Sequence, residues 1–214
     1  MLEAASAIIL AGGRGSRIGQ HKATLRLGGV TLIERTVAEL RRAFDDIVVV
    51  AAPESEGPEL PALGAVAGEV TIVRDAAAFQ GPAGALARGL HATRHEIAFA
   101  CSCDLPMLRS EVASWLLSLI DGRGTADLRY DAVIPRIGGR LQPLHAAYRR
   151  RCAGAVDAML SRGERRLRAV AGAVNARIIS EAEYRLTDPD ALSCFNINTP
   201  RDYARALKLA AAKT

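Results

Sequence analysis

The feature that most limits how this chain can fold is a series of short, unbroken apolar runs with stretches of helical spacing between them. Ala7-Ile8-Ile9-Leu10-Ala11, Ile47-Val48-Val49-Val50-Ala51 and Ile97-Ala98-Phe99-Ala100-Cys101 each have the length and branching of a strand, and none has a polar position to face water. A strand with one wet face alternates, whereas a strand covered on both faces is apolar throughout. Between the first two runs, Thr31 and Glu34 have the spacing of a capping box, and Leu32, Ile33, Val37 and Leu40 recur at helical intervals. That pattern predicts a helix from Thr31 to about residue 44, broken by Asp45-Asp46. Strands alternating with helices imply an α/β fold with a mostly parallel central sheet.

The remaining chain continues the alternation. Val70-Thr71-Ile72-Val73 reads as a third strand ending at Asp75. Pro82 suits the first turn of a helix that runs to about residue 93. A helix is predicted over 110–120, with Trp115, Leu116 and Leu119 as core candidates, and a strand over 131–135. Gly138-Gly139 then makes a turn, and residues 141–148 return as one strand. Helices are expected near 150–161 and 164–171, a last strand over 174–179, and a C-terminal helix capped by Thr199 with Pro200 at its first position. Residues 53–68 and 121–130 read as loops.

A chain of 214 residues is expected to form a single domain over 1–214. It has no apolar run long enough for a bilayer, and Glu3 replaces the basic start of a signal peptide, which points to the cytoplasm and away from membranes. The net charge of +5 is spread out, with its densest stretch at Arg149-Arg150-Arg151 followed by Arg162, Arg165, Arg166 and Arg168. Without interleaved aromatics, this suits phosphorylated small molecules better than nucleic acid. The cysteines Cys101, Cys103, Cys152 and Cys194 contain no CxxC pair, so buried free thiols are expected rather than a zinc site.

The chemistry gathers after the first strand. Gly12, Gly13, Gly15 and Gly19 are interleaved with Arg14, Arg17 and Lys22. Glycines let backbone approach a ligand, free N–H groups hold an anion, and cations make that anion a phosphate. The spacing matches neither the Walker loop nor the GxGxxG dinucleotide fingerprint. Asp104 follows the fourth strand, in Cys103-Asp104-Leu105-Pro106. A carboxylate there suits Mg²⁺, which takes one or two carboxylates together with phosphate oxygens; the plainer reading is a turn or helix-cap carboxylate. Asp75 has the same two readings. In a parallel sheet the 12–22 loop, Ala51, Asp75 and Asp104 all fall at the carboxyl-end rim, where ligands bind.

Leu10-Ala11-Gly12-Gly13-x3-Arg17-Ile18-Gly19-x2-Lys22 resembles the opening motif of the nucleotidyltransferases that activate sugars and cofactors, and Cys103-Asp104-Leu105-Pro106 resembles their metal-binding motif. Gly81-Pro82, Gln142-Pro143-Leu144-His145-Ala146-x-Tyr148, Gly163-Glu164-Arg165-Arg166 and Phe195-x2-Asn198-Thr199-Pro200 narrow the likeness to the molybdenum cofactor guanylyltransferases of the MobA type, over roughly residues 5–207. The resemblance implies a three-layer, Rossmann-like nucleotidyltransferase fold. It also implies Mg²⁺-dependent transfer of GMP from GTP to the terminal phosphate of molybdopterin, releasing pyrophosphate. Molybdoenzymes or other cofactor-biosynthesis proteins are the implied partners. On that likeness Leu10, Ala11, Gly12 and Gly13 hold the nucleotide, with Ala51 and Asp75 beside it. Arg17 and Lys22 hold phosphates, Asp104 takes the metal, Gly81 and Gly84 line the acceptor side, and Asn196 and Asn198 line that side or help orient phosphates. The family often carries Asn where Ala51 stands, and its Gly-Pro-Leu-Ala-Gly is here Gly81-Pro82-Ala83-Gly84-Ala85. Relatives that use CTP tend to read Leu-Ala-Ala-Gly, so Gly12 leans toward GTP. The alternatives are a CTP-dependent molybdopterin enzyme, a sugar- or polyol-phosphate nucleotidyltransferase, and a non-catalytic nucleotide-binding partner of molybdoenzymes.

Overall fold

The computed structural model describes residues 4–12, 22–52, 68, 70–74, 81–120 and 130–212. Its centre is an eight-stranded sheet. The strands are β1 (Ala5–Leu10), β4 (Asp46–Ala51), β5 (Thr71–Arg74), β6 (Ile97–Ser102), β7 (Ala132–Ile137), β8 (Arg140–Leu141), β9 (His145–Arg149) and β10 (Ala176–Ile179), while β2 (Arg26–Leu27) and β3 (Val30–Thr31) form a separate hairpin. The order across the sheet is β10-β7-β9-β6-β1-β4-β5, with β8 paired to β7. β1 runs parallel to both β4 and β6, β5 is parallel to β4, and β10 is parallel to β7. Within this sheet, among the described residues, β8 and β9 are the strands that run against their neighbours, and the β2–β3 hairpin is antiparallel as well. The mostly parallel α/β sheet read from the sequence is therefore present.

Unbroken apolar strands are stable here because both faces are covered. Along β1 and β4, Ile9 and Val49 join one buried cluster with Val37, Phe44, Phe99 and Leu116. Ile8 and Val48 join another with Leu86, Leu90 and Val156. The first cluster lies under α1 (Leu32–Leu40) and α3 (Ser110–Ser118), the second under α2 (Gly81–Ala92) and α4 (Cys152–Ser161). Successive side chains of a strand point to opposite faces, so every position meets a helix layer. Helix α2 lies so close to the sheet that a methyl group on Gly89 would overlap Ile8 Cγ2.

Local signals worked where they had a physical cause. Thr31 caps α1 and forms the expected box with Glu34, and Thr199 does the same with Asp202 at the head of α7 (Pro200–Ala211). Both two-glycine turns adopt positive φ at each residue: 63° and 84° at Gly28-Gly29, and 57° and 74° at Gly138-Gly139. That geometry matches the twist of a tight hairpin and excludes a Cβ at little cost only for glycine. All four cysteines are buried free thiols.

Several boundaries differ from the sequence reading. Residues 141–148 are two strands, not one. The β7–β8 pairing runs as far as Gln142 N donating to Pro135 O at 2.8 Å, and Gln142 to His145 then form a turn, closed by His145 N donating to Gln142 O at 3.0 Å with Pro143 at its second position, before β9 begins. The helix expected over 164–171 is a 3₁₀ turn, Leu167–Ala169, followed by the short α5 (Val170–Ala173). Gly163 leaves α4 at φ 82°, and the Glu164 carboxylate takes the Arg166 N–H at 2.8 Å, so backbone helix bonding restarts late. Helix α1 stops at Leu40, and Pro82 is the second residue of α2. The sequence reading did not anticipate α6 (Glu181–Arg185), capped by Ser180 through the N–H of Glu183, because five residues are too few for a period to show. Among the described residues no helix is long and apolar enough to cross a membrane.

Candidate active site

The parallel strands β1, β4 and β6 end level with one another: Leu10 is paired with Val50 on one side and Ser102 on the other. Two hydrogen bonds carry this alignment past the strand ends, Ala11 N to Val50 O at 2.8 Å and Cys103 N to Leu10 O at 3.1 Å. The start of the glycine loop and the segment bearing Asp104 therefore leave the sheet side by side. Gly12 is tightly placed, since a Cβ there would sit 3.1 Å from Ala52 N. Ala51, at 1% exposure, is the buried last residue of β4.

Asp104 is 4% exposed, and a buried carboxylate needs partners. Lys22 Nζ donates to its Oδ2 at 2.6 Å, and Asn196 Nδ2 donates to its Oδ1 at 3.3 Å. The same Lys22 ammonium donates to Asn198 Oδ1 at 2.7 Å. Four side chains from three remote stretches of sequence thus form one connected cluster, with two oxygens converging on a single cationic nitrogen.

A third small core holds the pieces together. Leu25, Leu27 and Leu32 pack with Met107, Ile197 and Ala206, so the hairpin after Lys22, the segment after Asp104 and helix α7 share one apolar contact. Ile197 is fully buried, and its N–H donates to Asp104 O at 3.0 Å. Side chains on an extended segment alternate, so sinking Ile197 leaves Asn196 and Asn198 on the opposite side, toward Lys22 and Asp104. The Thr199–Asp202 cap fixes the next turn, and Asp202 also accepts the Asn198 N–H at 3.1 Å. Tyr203 OH ties α7 to Arg26 O at 2.5 Å.

The nucleophilic and basic groups close by are inert. Burial, and next the Asp104 charge, push the Cys103 thiol far above the normal thiol range. His145 on β9 is buried, and burial lowers its pKa to about 3. Its Nε2 is 2.9 Å from Tyr184 OH, while Nδ1 has no partner. The geometry offers cationic and oxygen groups for placing phosphates and a metal, not a covalent nucleophile.

The oxygens fit a magnesium ion. Mg²⁺ prefers hard oxygen ligands, often one or two carboxylates with substrate phosphates and water. Asp104 Oδ2 and Asn198 Oδ1 already point at one cation, the Lys22 ammonium. Among the described residues no three His, Cys, Asp or Glu side chains form a ready-made metal cage, so phosphate oxygens and water would complete the shell.

Leu10, Ala11, Gly12 and Ala51 thus lie on one rim, and Lys22, Asp104, Asn196 and Asn198 form one hydrogen-bonded cluster there. Gly81 and Gly84 stand at the head of α2, with Gly81 at φ 73° and a Cβ built on it 3.9 Å from Arg165 O. Gly13, Arg17 and Asp75 lie outside the described residues. The family resemblance puts Asn196 and Asn198 on the acceptor side or beside the phosphates, without linking them to Asp104. The missed signal was Ile197, a single apolar residue between two asparagines.

Residues 7–178 match the MobA-like NTP transferase domain family. A molybdenum cofactor guanylyltransferase from Desulfosudis oleivorans is 33% identical over 206 residues, covering 96% of this chain and 95% of that protein. A probable molybdenum cofactor guanylyltransferase from Mycobacterium avium is 34% identical over 210 residues, covering 96% and 95%. The crystal structure of molybdopterin-guanine dinucleotide biosynthesis protein A from Archaeoglobus fulgidus superposes with a TM-score of 0.78 at 24% identity, covering 98% of this chain and 100% of that one. Motif order, rim geometry and these matches agree, and the chain belongs to the MobA-like NTP transferase family as a nucleotidyltransferase of molybdenum cofactor biosynthesis.

Proposed function

We propose that this enzyme transfers GMP from GTP to the terminal phosphate of molybdopterin, giving the guanine dinucleotide form and pyrophosphate. The observation that carries the reading is the convergence of Lys22, Asp104, Asn196 and Asn198 at the carboxyl-end rim, beside Gly12. In the reaction an oxygen of the acceptor phosphate forms a bond to the α-phosphorus, and the bond from that phosphorus to the bridging oxygen of the β-phosphate breaks. The acceptor is already an anion at neutral pH, so no base is required. The obstacle is the meeting of two polyanions, and positioning with electrostatic stabilisation supplies most of the catalysis.

Leu10 to Gly13, with Ala51 and Asp75, hold the nucleoside side on this reading. Gly12 lets the loop backbone come close. Lys22 and Arg17 neutralise the triphosphate and the leaving pyrophosphate. Asp104, assisted by Asn198, would hold Mg²⁺, which when bound polarises the α-phosphate as a Lewis acid. Asn196 orients the Asp104 carboxylate, and Gly81 and Gly84 open room for the acceptor at the head of α2.

The test is pyrophosphate release by purified protein given molybdopterin, Mg²⁺ and each nucleoside triphosphate in turn. GTP is expected to be turned over. Preference for CTP would overturn the base assignment. Tight nucleotide binding without turnover would favour a non-catalytic partner of molybdoenzymes.

A further inference from the structure

We infer that Lys22 is a placeholder cation: it occupies the oxygen seat of the divalent metal until a metal–triphosphate complex displaces it. The inference rests on the metal reading above and adds a role for this chain's own lysine. Asp104 Oδ2 and Asn198 Oδ1 lie 2.6 and 2.7 Å from Lys22 Nζ, and both are oxygens of the kind a hard cation takes. The Asp104 side chain is 5% exposed and that of Lys22 is 18% exposed, so the pair is well shielded from bulk water. Among the described residues Lys22 is the charged group bonded to Asp104; its other side-chain partner is the neutral Asn196 amide.

Charge then sets the order of events. A buried carboxylate left without a counter-charge is costly, and Lys22 meets that need in the free protein. A bare divalent ion entering the seat must evict the ammonium and leave a monovalent and a divalent cation close together, with one carboxylate between them. That arrangement is repulsive. A triphosphate arriving with the metal brings the missing negative charge and gives Lys22 new oxygen partners. Metal and nucleotide therefore help each other to bind, and the coupling is reciprocal. The lysine that closes the seat to free metal is the one released to the phosphates.

The experiment measures Mn²⁺ binding by electron paramagnetic resonance, without nucleotide and with GTP, in the wild-type chain and in Lys22→Met, Lys22→Arg and Asp104→Asn. Free Mn²⁺ is expected to bind Lys22→Met at least ~10-fold more tightly than wild type, since the competing charge is gone. Lys22→Arg, which keeps the charge, is expected to stay within about 3-fold of wild type. Affinity in Lys22→Met equal to or below wild type, or an equal gain in Lys22→Arg, overturns the placeholder role. Failure of wild type to hold Mn²⁺ with GTP, or Asp104→Asn binding as well as wild type, sinks the metal reading instead. A labelling measurement needs no variant: saturating Mn²⁺ alone is expected to raise acetic anhydride modification of Lys22 several-fold in wild type, read by mass spectrometry. An unchanged rate under saturation overturns the inference.

Discussion

The ammonium of Lys22 and the carboxylate of Asp104 meet at 2.6 Å across a sequence separation of 82 residues. One stands just before the β2–β3 hairpin, the other just past β6, and Asp104 is almost wholly out of water. Their meeting ties the start of the β2–β3 hairpin to the segment that follows β6.

Asp104→Asn is expected to lower transfer by at least ~10²–10³-fold while leaving the thermal midpoint within a few degrees of wild type. The amide keeps the size of the side chain and can still accept from Lys22, but it loses the charge. Activity within tenfold of wild type, measured as pyrophosphate release, would remove Asp104 from the chemistry.

Ile197→Ala and Asn196→Ala separate support from function. Ile197 is fully buried in the third core, so its truncation is expected to cost ~2–5 kcal/mol in urea unfolding and to lower turnover as well. Asn196 is only partly buried and makes a 3.3 Å bond to Asp104, so its loss is expected to cost under ~1.5 kcal/mol of stability while still slowing turnover. Equal stability losses in the two variants would contradict the division of labour.

Gly89→Ala sets two effects against each other. Alanine favours an exposed helix by ~1 kcal/mol over glycine. Here the new methyl would overlap Ile8 Cγ2 and lie 3.2 Å from Val50 Cγ2 in a filled core. Overpacking is expected to win, with net destabilisation of ~1–3 kcal/mol by chemical denaturation. A stabilised variant would show that α2 can shift outward freely.

His145 gives a pH dependence whose sign follows from its burial. Its pKa is lowered to about 3 in the fold, against about 6.5 in the unfolded chain, so below pH 6.5 the unfolded chain binds a proton the native state refuses. Its contribution to stability is complete above pH 6.5 and is lost steadily as pH falls toward 3, by up to ~1.4 kcal/mol per unit. Asp46 and Glu34 have carboxyl pKa values below the normal range, so their contributions fade only at lower pH, starting near 4 to 4.5. His145→Gln is expected to be less stable at pH 7 yet to flatten the pH 7-to-5 slope; a slope identical to wild type would assign it to other groups.

The parallel sheet was legible because burying both faces of a strand forces apolar residues at every position, as in β1, β4 and β6. Caps were legible at Thr31 and Thr199 because the capping box is a contact between near neighbours in sequence. The turn at Pro143 and the late start of α5 were not, because where a strand or helix stops depends on which backbone groups find partners elsewhere in the fold.

For the site, the sequence marked a glycine loop with cations and an aspartate at a strand end, each a local departure from an apolar pattern, while the two asparagines before the last helix entered only through the family resemblance. It could not show that Asn198 and Asp104 share one ammonium. That was decided by the packing of Ile197 with Leu25, Leu27 and Met107, which brings three distant segments onto one small core and turns the two asparagines toward the buried carboxylate. Short-range patterns fix which residue types lie where along a strand or helix; which charges meet depends on the tertiary burial of apolar side chains, a sum over contacts that no single stretch of chain contains.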